Sequence, residues 1–195
     1  TYVFGLIGSA TMDLFDALYN EKKIRFIDVR DERTGTHIAD GYARASGNPG
    51  VIIAGQNGPG ATNLVTGIAQ AKAAYSPLIS IAGAISSNHK GKDAFQEIDQ
   101  QSLFEPITKK TFTVNKTSLI PRTLNKAFSL ALSHRQGPVH INLPRDILSN
   151  KSNFAEFISH KKKKLKKINK KDINKILKLI ANSKKTVIIA GGGVK

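Results

Sequence analysis

The fold is decided by the segment Val51-Ile52-Ile53-Ala54-Gly55-Gln56-Asn57-Gly58-Pro59-Gly60-Ala61-Thr62-Asn63. Its first four residues form an apolar run typical of a buried strand, and a helix of small residues is predicted from Leu64 to Ala74. A glycine-proline turn between them brings bare backbone close to a ligand at the edge of a sheet. The segment therefore predicts a ligand site at the end of a strand in an α/β protein.

This turn does not match the two common nucleotide-binding motifs. No Gly-Lys-Ser/Thr follows it at the spacing of a Walker loop, and Asn63 stands where the dinucleotide fingerprint has its third glycine. Alone, the turn is also compatible with a tight connection and a helix N-cap. Two other segments, which carry Glu32 and Gln96, have the same strand-end character. We expect the three to meet at one edge of the sheet.

Composition limits the classes of protein to consider. The 195 residues are enough for one large domain and part of a second, and the 40% hydrophobic residues can supply a core. The lack of cysteine excludes disulfides and cysteine-ligated metals. No apolar stretch is long enough to span a membrane and no signal peptide stands at Thr1, so a cytoplasmic location and no membrane partner are expected.

The net charge of +16 is concentrated in one part of the chain. Residues 160–195 hold 13 Lys and one acidic residue, whereas the preceding 159 residues hold 17 basic and 13 acidic groups. The run Lys161–Lys167 lacks the aromatic residues that stack on nucleic-acid bases. A solvated linker is the favoured interpretation and a weak polyanion-binding patch the alternative, so no nucleic-acid partner is expected.

Strands and helices alternate along the chain, which predicts an α/β fold: a doubly wound, mostly parallel sheet with helices on both faces. The predicted strands are residues 2–6, 25–29, 51–54, 78–82 and 138–142. The predicted helices are residues 11–20, 32–47, 64–74 and 121–134. A long polar loop, residues 83–94, separates two of these elements, and loops of this length are often functional.

Three regions follow from this pattern: an N-terminal domain at residues 1–148, a Lys-rich linker at 149–168, and the start of a second α/β domain at 169–195. The last region combines an amphipathic helix at 172–182 with a strand at 186–190 and the glycines 191–193. A single strand and a turn cannot bury themselves, so we expect this region to be the truncated beginning of a larger unit.

Four segments together resemble the thiamine-diphosphate-dependent enzyme superfamily. They are residues 28–32, 37–44, 58–63 and 137–146, and the likeness covers residues 2–148 in order before reaching the start of the family's central domain. The resemblance implies a pyrimidine-binding domain of a transferase or lyase that uses thiamine diphosphate and Mg²⁺. It places the diphosphate and Mg²⁺ ligands in a C-terminal domain, with no metal ligand here, and implies a second subunit, in a homodimer or homotetramer, that completes the active site.

The resemblance also assigns roles to individual residues. Glu32 becomes the catalytic carboxylate that hydrogen-bonds the aminopyrimidine ring and promotes loss of the thiazolium C2 proton. Gln96 becomes a catalytic residue beside the substrate. The further cofactor-binding candidates are Gly58, Pro59, Gly60 and Asn63. The candidates around the substrate are Ile7, Gly8, Ser9, Gln56, Asn57 and Phe95.

Simpler roles remain open for several of these residues. Glu32 alone could be a charge that stabilises a helix N-terminus, and the Gln96 amide could satisfy loop backbone. His37 and His140 stand among apolar neighbours and are predicted to be packed structural residues. In the long loop, a solvated position is favoured for His89 and Lys90 over binding of an anionic substrate.

The substrate is predicted from finer features, and two families compete. Residues 3–10 and the pair Gln56-Asn57 resemble sulfoacetaldehyde acetyltransferase, which is the preferred prediction. Residues 61–69 and 106–109 resemble acetolactate synthase, although Ile7 replaces the proline typical of its first loop. Residues 95–97, followed by Gln100 and Phe104, are also similar to the first family, and residues 93–97 also resemble the second. A non-catalytic fragment that binds thiamine diphosphate is the third interpretation.

Two residues depart from the general pattern. Asp31 stands where such families commonly have histidine before the activating glutamate, and Arg33 stands where they commonly have glutamine after it. Neither change removes the carboxylate, but both alter the charge beside the predicted site. They bear on the choice of substrate more than on the choice of cofactor.

Overall fold

A computed structural model describes residues 1–154 and 169–191 of the chain. The chain divides into two compact units, Thr1–His160 and Lys161–Lys195. Most of the predicted Lys-rich linker and the glycines 192 and 193 lie outside the described residues.

The described part of the first unit is built on one sheet of six parallel strands in the order β2-β1-β3-β4-β6-β5. The strands are β1 (Tyr2–Gly5), β2 (Arg25–Asp28), β3 (Gly50–Ala54), β4 (Leu78–Ala84), β5 (Lys110–Thr113) and β6 (Val139–Pro144). The helices of this unit are α1 (Met12–Tyr19), α2 (Glu32–Ser46), α3 (Gly58–Ala73), α4 (Gln100–Phe104), α5 (Ile120–Ala131) and α6 (Arg145–Ser149).

Helices cover both faces of the sheet, as two separate apolar clusters show. On one face, side chains of α1, α5 and α6 pack against Ile53, Ile79 and Ile141. On the other face, side chains of α2, α3 and α4 pack against Ile52 and Leu78. The predicted doubly wound α/β fold is therefore confirmed, with a sheet that is wholly rather than mostly parallel.

Helix α2 begins and ends where its sequence predicts. Asp31 is the N-cap, and its Oδ1 accepts hydrogen bonds from the backbone N–H groups of Arg33 at 2.8 Å and Thr34 at 3.2 Å. Gly47 ends the helix in the left-handed region at φ +67°. The Asp31 cap fixes Glu32 as the first residue of α2, four residues after the last residue of β2.

Helix α3 begins six residues earlier than predicted, at Gly58 instead of Leu64. The glycine-proline segment is therefore the first turn of the helix and not a connection ahead of it. Pro59 suits this position because its fixed φ is helical and its missing N–H needs no partner there. The helix then packs closely on α2, where a Cβ on Gly67 would lie 2.6 Å from Thr36 Cβ.

Further differences from the sequence-based expectations concern secondary structure and packing. The sequence did not predict β5, and His37, expected to be packed, is exposed. In the second unit, α7 (Lys170–Ala181) forms as the predicted amphipathic helix, but residues 186–191 lack regular structure. A strand needs a neighbouring strand to pair its backbone groups. The described part of this unit contains no strand with which residues 186–191 could pair.

His140 lies at the centre of a buried polar row on β4 and β6, which confirms that it is a packed residue. Its ring stacks on Phe104 with centroids 3.6 Å apart. Its Nδ1 lies 2.8 Å from Ser80 Oγ, and its Nε2 lies 2.7 Å from Asn142 Oδ1. Burial lowers the pKa of His140 to about 3, against the opposing effect of the Asn142 hydrogen bond, so the ring is neutral near pH 7.

Acidification below pH 6.5 is expected to destabilise the fold through His140. The unfolded chain binds a proton on this histidine near pH 6.5 while the native ring stays neutral until about pH 3. The free energy of unfolding should therefore fall by up to about 1.4 kcal/mol per pH unit in this range. Urea unfolding at pH 7, 6 and 5 measures this slope. His140→Leu should reduce it and His89→Gln, at an exposed histidine, should not; a slope that survives His140→Leu contradicts the assignment.

Candidate functional site

The candidate site lies at the carboxyl ends of β1, β3 and β4, where the strand order reverses. The chain leaves β1 towards β2 on one side, while β3 lies on the other side. A parallel α/β sheet commonly binds its ligand in the crevice at such a reversal. The turns after β1 and β3 and the segment after β4 all reach this edge, which brings the predicted site residues together.

The turns after β1 and β3 pack with their backbones in direct contact. A Cβ on Gly8 would lie 2.2 Å from Gly55 O, and a Cβ on Gly55 would lie 2.6 Å from Leu6 O. The backbone N–H of Ala10 also donates to Gly55 O at 3.3 Å. Only glycine fits at these two positions, so the floor of the crevice is main chain.

Glu32 is almost fully buried, with 3% of its surface exposed, and each carboxylate oxygen has a donor. Oε1 accepts from the backbone N–H of Gly55 at 3.2 Å, and Oε2 accepts from Asn63 Nδ2 at 3.0 Å. Two of the predicted cofactor-binding residues, 31 positions apart, are thus joined directly. The carboxylate is held between the end of β3 and the second turn of α3.

The surroundings of Glu32 fit an aminopyrimidine ring. A carboxylate offers about four acceptor positions, so the two hydrogen bonds from Gly55 and Asn63 leave room for another partner. Gly60 faces the same carboxylate, since a Cβ there would lie 3.0 Å from Oε1. The absence of a side chain at Gly60 therefore keeps that oxygen uncrowded.

Gln96 reaches the site through its main chain. Its carbonyl oxygen accepts from the backbone N–H of Gly58 at 3.1 Å, at the start of α3. A Cβ on Gly58 would lie 2.5 Å from that oxygen, so the contact requires glycine. The side-chain amide of Gln96 is not needed for this bond. Phe95, beside it, is 86% exposed.

The remaining substrate candidates lie around the same crevice. Ser9 Oγ donates to Gln56 Oε1 at 3.2 Å, which links the turns after β1 and β3. Asn57 stands immediately before α3, and its carbonyl oxygen accepts from Ala61 N at 2.7 Å. Ile7 is about half exposed. The structure places these residues at one edge of the sheet, while their roles towards a substrate stay predictions.

Other charged candidates lie apart from Glu32. Arg33 is exposed on the first turn of α2, with Nε 3.9 Å from Asp31 Oδ1. His89 and Lys90 occupy an exposed loop, and within the described residues no hydrogen bond joins either to Glu32 or Gln96. Pro59 is exposed and contributes through its backbone conformation at the start of α3.

Sequence reasoning missed two groups that shape the site. One is the backbone N–H of Gly55, whose signal was a glycine directly after a buried apolar run. The other is Glu97, whose carboxylate accepts from the backbone N–H groups of Gly91 and Ala94. A carboxylate a few residues beyond glycine in a polar loop is a weak signal, because such a residue is usually solvated.

Residues 1–154 and 169–191 lack two other kinds of feature. No group of three or more histidines or carboxylates is placed to hold a metal ion. No helix in these ranges has the length and apolar character needed to cross a membrane.

Comparison with known proteins gives consistent matches. Residues 1–103, more than half of the chain, match the family model described as "Thiamine pyrophosphate enzyme, N-terminal TPP binding domain". The chain is 44% identical to the probable acetolactate synthase large subunit of Methanocaldococcus jannaschii, over 98% of this chain and 33% of that protein. It is 40% identical to the acetolactate synthase isozyme 3 large subunit of Escherichia coli K12, over 98% of this chain and 34% of that protein. The chain spans about a third of the length of these relatives.

Proposed function

We propose that this chain forms the pyrimidine-binding part of an acetolactate synthase large subunit. The chain belongs to the family of thiamine pyrophosphate enzymes. The names of its relatives support this reaction, which joins two 2-oxo acids with loss of carbon dioxide. They give no support to sulfoacetaldehyde acetyltransferase, the preferred prediction from sequence. That prediction depended on short segments, whereas the likeness to the synthases extends over nearly the whole chain.

The buried Glu32 carboxylate is the observation that carries the cofactor-binding part of this proposal. Thiamine diphosphate, when bound, supplies a carbon nucleophile at its thiazolium ring after loss of the C2 proton. Glu32 holds and exchanges a proton at the pyrimidine end of the site. Gly55 and Asn63 orient its two oxygens, and its burial keeps water from competing for them. A solvated glutamate at a helix N-terminus would need neither donor.

Gln96 and Gln56 are the proposed contacts to the 2-oxo acid. The main-chain bond from Gly58 holds Gln96 at the start of α3, and the Ser9 hydroxyl holds the amide oxygen of Gln56. Each side-chain amide carries two N–H donors that suit a carbonyl or carboxylate oxygen. Ile7 and Phe95, both substantially exposed, would supply apolar contacts beside these donors.

The rest of the active site is proposed to lie outside this chain. The family resemblance assigns the diphosphate and Mg²⁺ ligands to a C-terminal domain, and it assigns completion of the site to a second subunit. The chain aligns with about a third of each relative's length, which is consistent with this division.

The products formed by the full-length protein test the proposed reaction. With thiamine diphosphate and Mg²⁺ we expect acetolactate from pyruvate, and no release of sulfite from sulfoacetaldehyde in the presence of phosphate. The Glu32→Gln protein is the negative control for both reactions, since both depend on the Glu32 carboxylate. Sulfite and acetyl phosphate without acetolactate would contradict the proposal and favour the acetyltransferase.

A further inference from the structure

The segment between β4 and α4 holds an uncommon backbone conformation. Three of its residues lie in the left-handed region: Gly91 at φ +76°, Asp93 at φ +52° and Gln96 at φ +62°. This region costs a residue other than glycine on the order of 1 kcal/mol, so Asp93 and Gln96 need contacts that hold them there. The side chain of Glu97 supplies such contacts on both sides of Asp93, and Gly58 supplies one at Gln96.

Glu97 closes this segment into a compact loop, residues 91–97. Its Oε1 accepts from the backbone N–H of Gly91 at 2.7 Å, and its Oε2 accepts from that of Ala94 at 3.2 Å. Its own backbone N–H donates to Ala94 O at 2.9 Å. The carboxylate therefore joins both sides of Asp93. These backbone hydrogen bonds lower the pKa of Glu97, and the bond from Gly91 has the largest effect. The carboxylate is therefore ionised near neutral pH.

The closed loop holds Gln96 against the start of α3. Gln96 O accepts from Gly58 N at 3.1 Å, and the two residues are too close for any side chain at Gly58. The carbonyl oxygen of Gln96 therefore ties the loop to the first turn of α3.

The geometry points to Glu97 as a positioning residue that fixes Gln96 and Phe95 beside the substrate by closing the loop 91–97. The inference rests on the proposed function in one respect, the placement of Gln96 next to a 2-oxo acid. The closure itself rests on hydrogen bonds of the described residues alone. Among the described residues, Glu97 makes no hydrogen bond to Glu32 or to its donors Gly55 and Asn63, so it acts through the loop.

A neighbouring carboxylate provides a matched control. Asp99 stands two residues further on and accepts from Ser102 N at 3.1 Å and Ser102 Oγ at 2.5 Å. Asp99 caps α4. Within the part of the chain that the structure describes, its carboxylate makes no hydrogen bond to residues 91–97. Asp99→Asn therefore changes a carboxylate of the same segment to an amide without opening the loop.

The test compares Glu97→Gln with Asp99→Asn in the full-length protein. Glutamine keeps the size of glutamate, but its NH₂ group faces one of the two backbone donors, so one hydrogen bond is lost. We expect the KM for pyruvate to rise about tenfold in Glu97→Gln, the loss of one charge-assisted hydrogen bond. The Kd for thiamine diphosphate should stay within about twofold in both variants, and Asp99→Asn should keep its KM within about twofold of the wild type.

Hydrogen exchange separates this inference from the proposed function. The amides of Gly91 and Ala94 should exchange about tenfold faster in Glu97→Gln than in wild type, measured without substrate. Unchanged exchange, or an unchanged KM, overturns the positioning role, as does a loss of thiamine diphosphate affinity as large as the rise in KM. If the wild-type protein makes no acetolactate, the proposed function fails, while faster exchange in the variant still supports closure of the loop by Glu97.

Discussion

Replacing Glu32 by glutamine in the full-length protein should lower kcat by about 100- to 10,000-fold, the range typical of a lost general acid or base. Glutamine has almost the same shape, so the fold should survive. However, both partners of this side chain are donors, the N–H of Gly55 and the Nδ2 of Asn63. An amide can accept from only one of them, and it cannot take up or release the proton that the carboxylate handles.

The direct measurement is hydrogen–deuterium exchange at C2 of bound thiamine diphosphate. It should slow by a factor similar to that of kcat in Glu32→Gln, with a circular dichroism spectrum like that of the wild type. Glu105→Gln, at an exposed carboxylate, controls for the loss of one negative charge. An unchanged exchange rate in Glu32→Gln would remove this residue from its proposed role.

Substitution of Gly8 by alanine is the second change expected to have a large effect. The added methyl carbon would lie 2.2, 2.4 and 2.7 Å from the O, C and Cα atoms of Gly55. All three are backbone atoms, so no side-chain rotation can relieve the clash. We expect a loss of about 3 kcal/mol in the free energy of unfolding, the upper range for overpacking, measured by urea titration.

Activity should fall together with stability in this variant. Separation of the two turns displaces Gly55, whose N–H holds Glu32 Oε1. Gly41→Ala is the matched control, because nothing lies within 4 Å of a Cβ there and the residue is within α2. Alanine should stabilise that helix by about 0.5–1 kcal/mol. A Gly8→Ala protein with wild-type stability and turnover would show that the turns are not in the close contact described.

The elements that could be predicted from sequence are those with a strong local pattern. The strand β3 is a continuous apolar run, β4 is an apolar run that contains Ser80, and α2 has both an acidic N-cap and a C-terminal glycine. The edge strand β5, Lys110–Thr113, has only one neighbour and two exposed residues, so its sequence lacks an apolar run. Residues 186–190 show the converse: an apolar run predicts a strand only where another strand is available to pair with it.

The location of the site could be predicted from the ends of the strands, and its main residues could be predicted from the family resemblance. The resemblance predicts both Glu32 and Asn63 as cofactor-binding residues, and their direct contact agrees with the convergence of loops at one edge of a parallel sheet. The contacts between Gly8 and Gly55, and between Gly58 and Gln96, could not be predicted. These contacts join main-chain atoms, which are the same in every residue. Only the glycines at these positions mark them in the sequence.

The position of β6 has a consequence for the nascent chain on the ribosome. This strand inserts between β4 and β5, and Ser80 of β4 bonds to its His140. About 60 residues separate the ends of β4 and β6, which corresponds to roughly 3–12 s of translation at about 5–20 residues per second. During that interval the apolar β4, with Leu78 and Ile79, remains an open edge on which another chain can add. Arrival of β6 covers this edge of β4.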